Sequence, residues 1–187
     1  MRIIAGRFRG HPLAALGRGD SAAHLRPTPD RVRESLFSML EHRDAIAGAR
    51  VLDLFAGTGA LGFEALSRGA AHTLFVESGR AGQRLIARNM ATLAVETESG
   101  LLRADATRLP PNRGAGFDLV FLDPPYGKGL GARALDCARA GGWIGDGALV
   151  LWEESAPMPP PEGFVPEDQR RYGDTHVTLL RAAHQVG

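Results

Sequence analysis

Short apolar segments alternate with helix-length amphipathic segments along most of this 187-residue chain. The pattern predicts strands over 50–55, 71–76, 101–104, 117–122 and 147–152, and helices over about 29–44, 60–68, 79–93 and 130–140. Strands that alternate with helices form a mostly parallel sheet through right-handed crossovers. Two further segments, 164–172 and 175–181, predict an antiparallel hairpin at one sheet edge. We therefore expect an α/β fold with a mostly parallel, seven-stranded sheet.

The beginning of the chain differs from the rest in charge and in pattern. Residues 1–33 contain seven arginines against Asp20 and Asp30, although the net charge of the whole chain is only +1. Because guanidinium groups suit bidentate phosphate contacts, this cluster favours a polyanionic partner. Short apolar segments broken by glycine and proline predict a small β appendage over 1–28, ahead of a main domain over 29–187. Thr28 is predicted to cap the first helix.

Acidic residues stand where four successive parallel strands are predicted to end: Asp53, Glu77, Asp105 and Asp123. The carboxyl ends of parallel strands lie at one edge of a sheet, and ligands bind in the crevice beyond that edge. We therefore expect these four side chains to converge on a single binding crevice.

The segment from Asp53 to Gly59 is a glycine-rich turn between a predicted strand and a predicted helix. Gly57 and Gly59 allow close approach of a ligand to the backbone, and the helix N-terminus offers free N–H groups to an anion. A plain tight turn, a dinucleotide site and an S-adenosylmethionine site all fit this spacing. Asp53 would repel a pyrophosphate and attract the ammonium group of a methionine. The acid therefore favours S-adenosylmethionine over a dinucleotide.

Glu77 and Asp105 each have two interpretations. Glu77 lies about 20 residues after the glycine-rich turn, a distance that suits contact with ribose hydroxyl groups; it is otherwise a solvated residue at a strand end. Asp105 can accept a hydrogen bond from an adenine amino group, or it can cap the turn that follows it.

The tetrad Asp123-Pro124-Pro125-Tyr126 forms a stiff turn, because each proline lacks an N–H group and has a fixed φ. The Asp123 carboxylate and the Pro124 carbonyl can accept both hydrogens of an exocyclic amine, while Tyr126 stacks on a base. The alternative is a rigid surface turn without a ligand. A methyl donor in the neighbouring crevice makes the tetrad a predicted site of amine methylation, through positioning and electrostatics alone.

Composition limits the class of protein. Cys137 is the only cysteine and cannot form an internal disulfide, no apolar segment approaches membrane-spanning length, and the start lacks the apolar core of a signal peptide. We therefore expect a cytoplasmic protein without a membrane segment. The six histidines show no metal-ligand spacing, so no metal site is predicted.

Four motifs make the chain resemble the RsmD family of bacterial ribosomal RNA guanine-N2 methyltransferases. They are Met1-Arg-Ile-Ile-Ala-Gly6, Arg26-Pro-Thr-Pro-Asp-Arg-Val-Arg-Glu-Ser-Leu-Phe37, Asp53-Leu-Phe-Ala-Gly-Thr-Gly-Ala-Leu-Gly62 and Leu122-Asp-Pro-Pro-Tyr126. The first two are specific to that family, and the last two are shared with many amino methyltransferases. The resemblance implies a Rossmann-like class I S-adenosylmethionine-dependent methyltransferase that acts on one guanine of small-subunit rRNA in an assembled or assembling subunit. It also implies that residues 26–33 border both cofactor and RNA. We expect the protein to be a monomer.

The predicted site residues fall into three groups. The catalytic residues are Asp123, Pro124, Pro125 and Tyr126. The S-adenosylmethionine-binding residues are Thr28, Asp53, Phe55, Ala56, Gly57, Thr58, Gly59, Glu77, Ser78, Asp105, Ala106 and Asp123. The RNA-binding residues are Arg2, Arg7, Arg9, Arg26, Arg31 and Arg33. Two other functions remain open: a DNA adenine-N6 methyltransferase, for which the chain leaves little room for a target-recognition domain, and a non-catalytic RNA-binding assembly factor.

Overall fold

The computed structural model describes residues 1–15 and 28–184, which form one seven-stranded sheet with helices on both faces. The helices are α1 (Asp30–Glu41), α2 (Ala60–Ser67), α3 (Arg80–Leu93) and α4 (Leu130–Ala140), with a short 3₁₀ helix at Ala106–Arg108. The strands are β1 (Arg50–Leu54), β2 (His72–Val76), β3 (Ser99–Leu102), β4 (Phe117–Leu122), β5 (Ile144–Glu154), β6 (Phe164–Tyr172) and β7 (Thr175–Ala182).

The strand order is β3-β2-β1-β4-β5-β7-β6. Strands β1 to β5 pair in parallel, whereas β7 is antiparallel to both β5 and β6. The predicted α/β architecture with an antiparallel C-terminal hairpin is therefore confirmed. The chain reverses its direction across the sheet between β3 and β4, so the switch point lies where β1 and β4 are neighbours.

Several predicted boundaries need correction. Strand β3 begins two residues early, because Ser99 and Gly100 continue the ladder with β2 although neither is a strand-forming apolar residue. Strand β5 begins at Ile144, three residues before the predicted start, and runs two residues beyond Trp152, where its pairing with β7 extends to Glu154. Helix α1 begins at Asp30 with Pro29 before it, so Thr28 is not its cap.

The two faces of the sheet bury different helices. Leu36 and Phe37 of α1 pack with Phe121 and Leu151 on one face, where Phe63 of α2 also meets the sheet. Alternate residues along the same strands, such as Leu122 and Trp152, pack with α4 on the other face. Each fully buried side chain of this size stabilises the fold by about 1.5–3 kcal/mol. Because side chains alternate between the two faces along a strand, these contacts also show to which face the residues at the carboxyl ends of the strands point.

The N-terminal segment forms a short β hairpin that is docked on α2. Residues 1–3 and 10–13 pair as a short antiparallel hairpin around the bridge between Arg2 and Pro12. The Ile3 N–H donates to the His11 carbonyl and the Leu13 N–H to the Met1 carbonyl, each at 3.0 Å. The backbone N–H groups of Ile4 and Ala5 donate to the buried carboxylate of Glu64, at 2.8 and 3.1 Å. Among residues 1–15, the β appendage predicted over 1–28 therefore consists of this short hairpin, which the contact with Glu64 holds against α2. The predicted loop 17–25 and Arg26 lie outside the described residues.

No helix within 1–15 and 28–184 combines the length and the apolar character that crossing a membrane requires.

Candidate functional site

The carboxyl edge of the sheet brings the predicted acidic residues to adjacent strands. Asp53 lies on β1, Glu77 follows β2, Asp105 follows β3 and Asp123 follows β4, and these strands are neighbours in the sheet. The register pairs Leu54 with Leu122, so the glycine-rich turn and the Asp123 turn leave the sheet side by side. The crevice between them is where an open α/β sheet binds its ligand.

The glycine-rich turn is held in an unusual backbone conformation. Phe55, Gly57 and Gly59 all have positive φ angles, of 58°, 58° and 78°. Glycine adopts such angles freely, whereas Phe55 is a non-glycine residue, for which this conformation costs about 1–3 kcal/mol. Asp53 Oδ2 accepts a hydrogen bond from the backbone N–H of Gly62 at 3.0 Å and so fixes the start of α2. The turn therefore exposes the N-terminus of α2 toward the crevice.

Glu77 connects the turns that follow β1 and β2. Its two carboxylate oxygens accept hydrogen bonds from the backbone N–H groups of Gly57 at 2.8 Å and Gly79 at 2.6 Å. A Cβ atom at Gly82 would lie 2.6 Å from the Gly57 carbonyl oxygen, so α3 approaches the glycine-rich turn closely. Glu77 has a structural role in addition to the predicted contact with ribose, and Ser78 beside it is exposed.

Asp105 caps the 3₁₀ helix. Its Oδ1 accepts hydrogen bonds from both the backbone N–H and the hydroxyl of Thr107, each at 2.8 Å. These bonds stabilise the carboxylate and lower the pKa of Asp105. The predicted capping role of Asp105 is therefore confirmed. Asp105 is exposed, whereas the next residue, Ala106, is buried. A contact with adenine stays a prediction.

The Asp123–Tyr126 turn is anchored from β5. Glu154 Oε1 accepts hydrogen bonds from the backbone N–H of Gly127 at 3.1 Å and from that of Ser155 at 3.0 Å. Pro124 is buried, whereas Tyr126 is 39% exposed and its hydroxyl lies 3.4 Å from Thr175 Oγ1. A ring that is free on one side and held at its tip is available for stacking against a flat group.

Burial and mutual repulsion raise the pKa values of three carboxyl groups in the crevice. Burial raises the pKa of Asp53 to about 8; the hydrogen bond from Gly62 opposes this, and the charges of Asp123 and Glu77 add to it. Burial, and then Glu154, raises the pKa of Asp123. Burial, and then Asp123, raises that of Glu153. A cationic ligand would relieve this repulsion, so the crevice favours positive charge.

Glu153 and Glu154 are site residues that the sequence reasoning missed. Both are at most 3% exposed, and both end β5 at the same sheet edge as the four predicted acids. The signal was present, since both follow the apolar segment 147–152 directly. Thr28, predicted to bind the cofactor, donates its hydroxyl hydrogen bond to Glu153 Oε2 at 3.4 Å and so lies beside the crevice.

The predicted RNA-binding arginines occupy different places. Arg2 forms an exposed ion pair with Asp30 at the start of α1, near the crevice, and Arg31 is exposed on the same helix. Arg33 is fully buried and donates to the Arg2 carbonyl and to Asp30, so its guanidinium group is not available to RNA at the surface. This part of the RNA-binding prediction is wrong, because packing removes the side chain from solvent.

Arg7 lies away from the crevice. Its backbone N–H donates to Ser67, the last residue of α2, and its side chain forms an ion pair with Glu98, just before β3. Both contacts lie at the amino edge of the parallel strands. Arg9 is exposed in the turn beside it, and Arg26 lies outside the described residues.

Comparison with known proteins gives matches over the whole fold. The family described as "Conserved hypothetical protein 95" matches residues 1–181. The Escherichia coli (strain K12) protein "Ribosomal RNA small subunit methyltransferase D" is 39% identical over 153 residues, which cover 82% of this chain and 74% of that protein. The Haemophilus influenzae protein of the same name is 36% identical over 171 residues, covering 88% and 85%.

A solved structure, "Putative methyltransferase yhhF from Escherichia coli", superimposes with a TM-score of 0.85. It is 34% identical in sequence, and the match covers 99% of each chain. The predicted Rossmann-like methyltransferase fold is confirmed by this match.

Proposed function

The chain belongs to the RsmD family, described as "Conserved hypothetical protein 95", and from this premise we propose that it transfers a methyl group from S-adenosylmethionine to the N2 amine of a guanine in small-subunit rRNA. One observation carries the proposal. The Asp123–Tyr126 turn is anchored beside the glycine-rich turn, in a crevice whose buried carboxyl groups favour a cation. The names of its relatives agree with methylation of rRNA.

The residues of the crevice fit S-adenosylmethionine, which supplies an activated methyl group on a positively charged sulfonium when bound. The N-terminus of α2 offers N–H groups to the methionine carboxylate. Asp53 and Asp123 present negative charge toward the ammonium and sulfonium groups, which lowers the repulsion between the two carboxyls. Glu77 and Asp105 lie beyond β2 and β3, where ribose hydroxyls and the adenine amine need acceptors.

The tetrad performs the acceptor's part of the reaction. The Asp123 carboxylate and the Pro124 carbonyl accept the two hydrogens of the guanine N2 amine, which orients the nitrogen lone pair toward the cofactor side of the crevice. Such positioning converts a bimolecular reaction into an effectively unimolecular one. Tyr126 stacks on the base, which contributes about 1–3 kcal/mol. A base must leave its stack to enter this pocket.

The RNA is proposed to approach across the start of α1. Arg2 and Arg31 are exposed there, close to Thr28 and Glu153, and Arg26 precedes them in the chain. Arginine guanidinium groups contact phosphates with bidentate geometry and hold the backbone while the base enters the pocket. Arg7 and Arg9 lie farther away and would meet a different part of the RNA.

The proposed function is tested by mapping modified nucleotides. Small ribosomal subunits from a deletion strain are incubated with the protein and S-adenosylmethionine, and rRNA digests are examined by mass spectrometry. N2-methylguanine at one position is the expected product. Duplex DNA is tested in parallel: N6-methyladenine there, with unmodified rRNA, would contradict the proposal in favour of a DNA methyltransferase. If calorimetry detects no binding of S-adenosylmethionine to the protein, the result would instead indicate a non-catalytic RNA-binding factor.

A further inference from the structure

Glu153 has an acceptor oxygen that no group within residues 1–15 and 28–184 satisfies. The residue is 2% exposed, and its Oε2 atom accepts a long hydrogen bond, of 3.4 Å, from the Thr28 hydroxyl. Its Oε1 atom is buried and has no hydrogen-bond partner among residues 1–15 and 28–184. An unpartnered buried acceptor destabilises a protein, so a donor on a bound ligand is a physical reason for its presence.

The sheet places Glu153 beside Asp123. Leu122 of β4 pairs with Trp152 of β5, and Asp123 and Glu153 are the residues that follow this pair. Neighbouring strands lie about 4.8 Å apart, and alternate residues point to the same face. Leu122 and Trp152 pack on the α4 face, so Asp123 and Glu153 point to the opposite face. Val177, the antiparallel partner of Glu153, is packed with α1 on that face.

Glu153 lies on the acceptor side of the crevice rather than on the cofactor side. Along the sheet the order is β1, β4, β5 and β7, and the glycine-rich turn follows β1. Tyr126 extends from the end of β4 across to Thr175 at the start of β7, and so passes the end of β5. Burial raises the pKa of Tyr126 to about 12, and the charges of Asp123, Glu153 and Glu154 add to the increase. Tyr126 therefore lies close to Asp123, Glu153 and Glu154.

Guanine carries two neighbouring hydrogen-bond donors, which match the neighbouring acceptors Asp123 and Glu153. Its Watson–Crick edge presents the N1–H group directly beside the N2 amine, and enzymes read a flipped base at this edge. We propose that Glu153 accepts a hydrogen bond from guanine N1–H, next to the amine held by Asp123 and Pro124, and thereby selects guanine as the methyl acceptor. The inference rests on the proposed function, of which it names the base-selecting contact.

The same contact rejects bases without an N1 hydrogen. Adenine carries an acceptor at N1, so an ionised Glu153 would face a lone pair and stay unpaired. A site that hydrogen-bonds one substrate group rejects analogues without that group far more strongly than an apolar pocket does. The tetrad alone cannot make this distinction, because it requires only an amine.

Two purine analogues separate the N1–H group from the amine. Subunits are assembled with rRNA that carries guanine, 2-aminopurine or 2,6-diaminopurine at the mapped target position. Both analogues keep the C2 amine and lack the N1 hydrogen, and 2,6-diaminopurine also keeps a substituent at C6. The methylation rate with guanine is expected to exceed that with either analogue by about 100-fold or more. Assays at about pH 8.5 keep most of Glu153 ionised, above its raised pKa of about 8, and leave the guanine N1–H group largely protonated.

The variant Glu153→Gln should reduce this discrimination by about tenfold or more, because its amide N–H can donate to the unprotonated N1 of the analogues. Glu162→Gln, in the exposed loop before β6, is the matched control and should keep the wild-type ratio. An unchanged ratio in folded Glu153→Gln would overturn the inference. So would equal wild-type rates on guanine and both analogues, a result that does not depend on the folding of any variant. Failure of the wild-type protein to methylate guanine at all would contradict the proposed function itself.

Discussion

Glu154 Oε1 accepts a hydrogen bond from the Gly127 backbone N–H at 3.1 Å, so a side chain of β5 holds the turn that follows β4. The same oxygen accepts the N–H group of Ser155, and the carboxylate is 3% exposed. A buried carboxylate with two backbone donors restrains the loop more firmly than neutral hydrogen bonds would. The position of Asp123 and Tyr126 therefore depends on a residue outside the tetrad.

Replacing Glu154 by Ala should lower kcat by about 10–100-fold, because loss of a charged hydrogen-bond partner costs about 1.5–3 kcal/mol and frees the turn. Glu154→Gln should restore part of the rate, since its amide oxygen can still accept from Gly127. The affinity for S-adenosylmethionine, measured by calorimetry, should stay within about threefold in both variants. Equal rates for the Ala and Gln variants would show that the hydrogen bond does not position the turn.

Replacing Asp123 by Asn should lower the single-turnover rate of methylation by about 100-fold or more, because the amide NH₂ group can face the guanine amine with donors instead of acceptors. Asp136→Asn, on the exposed surface of α4, is the matched control and should retain the wild-type rate. Rapid-quench measurements with RNA in excess of its dissociation constant isolate the chemical step. A wild-type rate in Asp123→Asn would contradict the role of the carboxylate in holding the amine.

The pKa of Asp53, raised to about 8, predicts how stability depends on pH. The folded protein binds this proton more tightly than the unfolded chain does, so the group's stabilising contribution is full below about pH 4 and is lost as the pH rises through about 8. Asp53→Asn has no charge at any pH and keeps an oxygen acceptor for Gly62. The variant should therefore melt about 2–8 °C above wild type at about pH 9, if the relieved penalty is about 1–2 kcal/mol.

Thermal unfolding of both proteins without ligand, at about pH 5 and pH 9, provides the measurement. At the lower pH the folded wild-type carboxyl is protonated, and the pH is only about one unit above the ordinary pKa of the unfolded group, so the stabilising effect of Asp53→Asn should be much smaller than at about pH 9. An equal difference in Tm at the two pH values would show that Asp53 is ionised in the folded protein throughout this range.

Sequence patterns located β4 and α4 to the residue, because an apolar strand and an amphipathic helix flank a turn that two prolines and two glycines delimit. The same patterns ended β5 at Trp152, since hydrophobicity cannot show that its ladder with β7 continues through Glu154. The docking of Ile4 on Glu64 was equally invisible, because residues 60 positions apart meet only in the folded chain. Patterns thus located acids at strand ends, but not the pairings that determine which acids share a pocket.

Replacing Arg31 by Gln should weaken binding of small-subunit rRNA and reduce its salt dependence, because this exposed arginine is in the first turn of α1, three residues after Thr28, which contacts Glu153. Each phosphate contact that is lost lowers the slope of log K against log salt by about 0.7–0.9. Arg113→Gln, in the loop before β4 at the opposite edge of the sheet, is the matched control and should keep the wild-type slope. Arg7→Gln should have a smaller effect than Arg31→Gln, since Arg7 is paired with Glu98 at that opposite edge. Binding isotherms at four or five salt concentrations decide the order, and a larger effect of Arg7→Gln would place the RNA across α2 instead of α1.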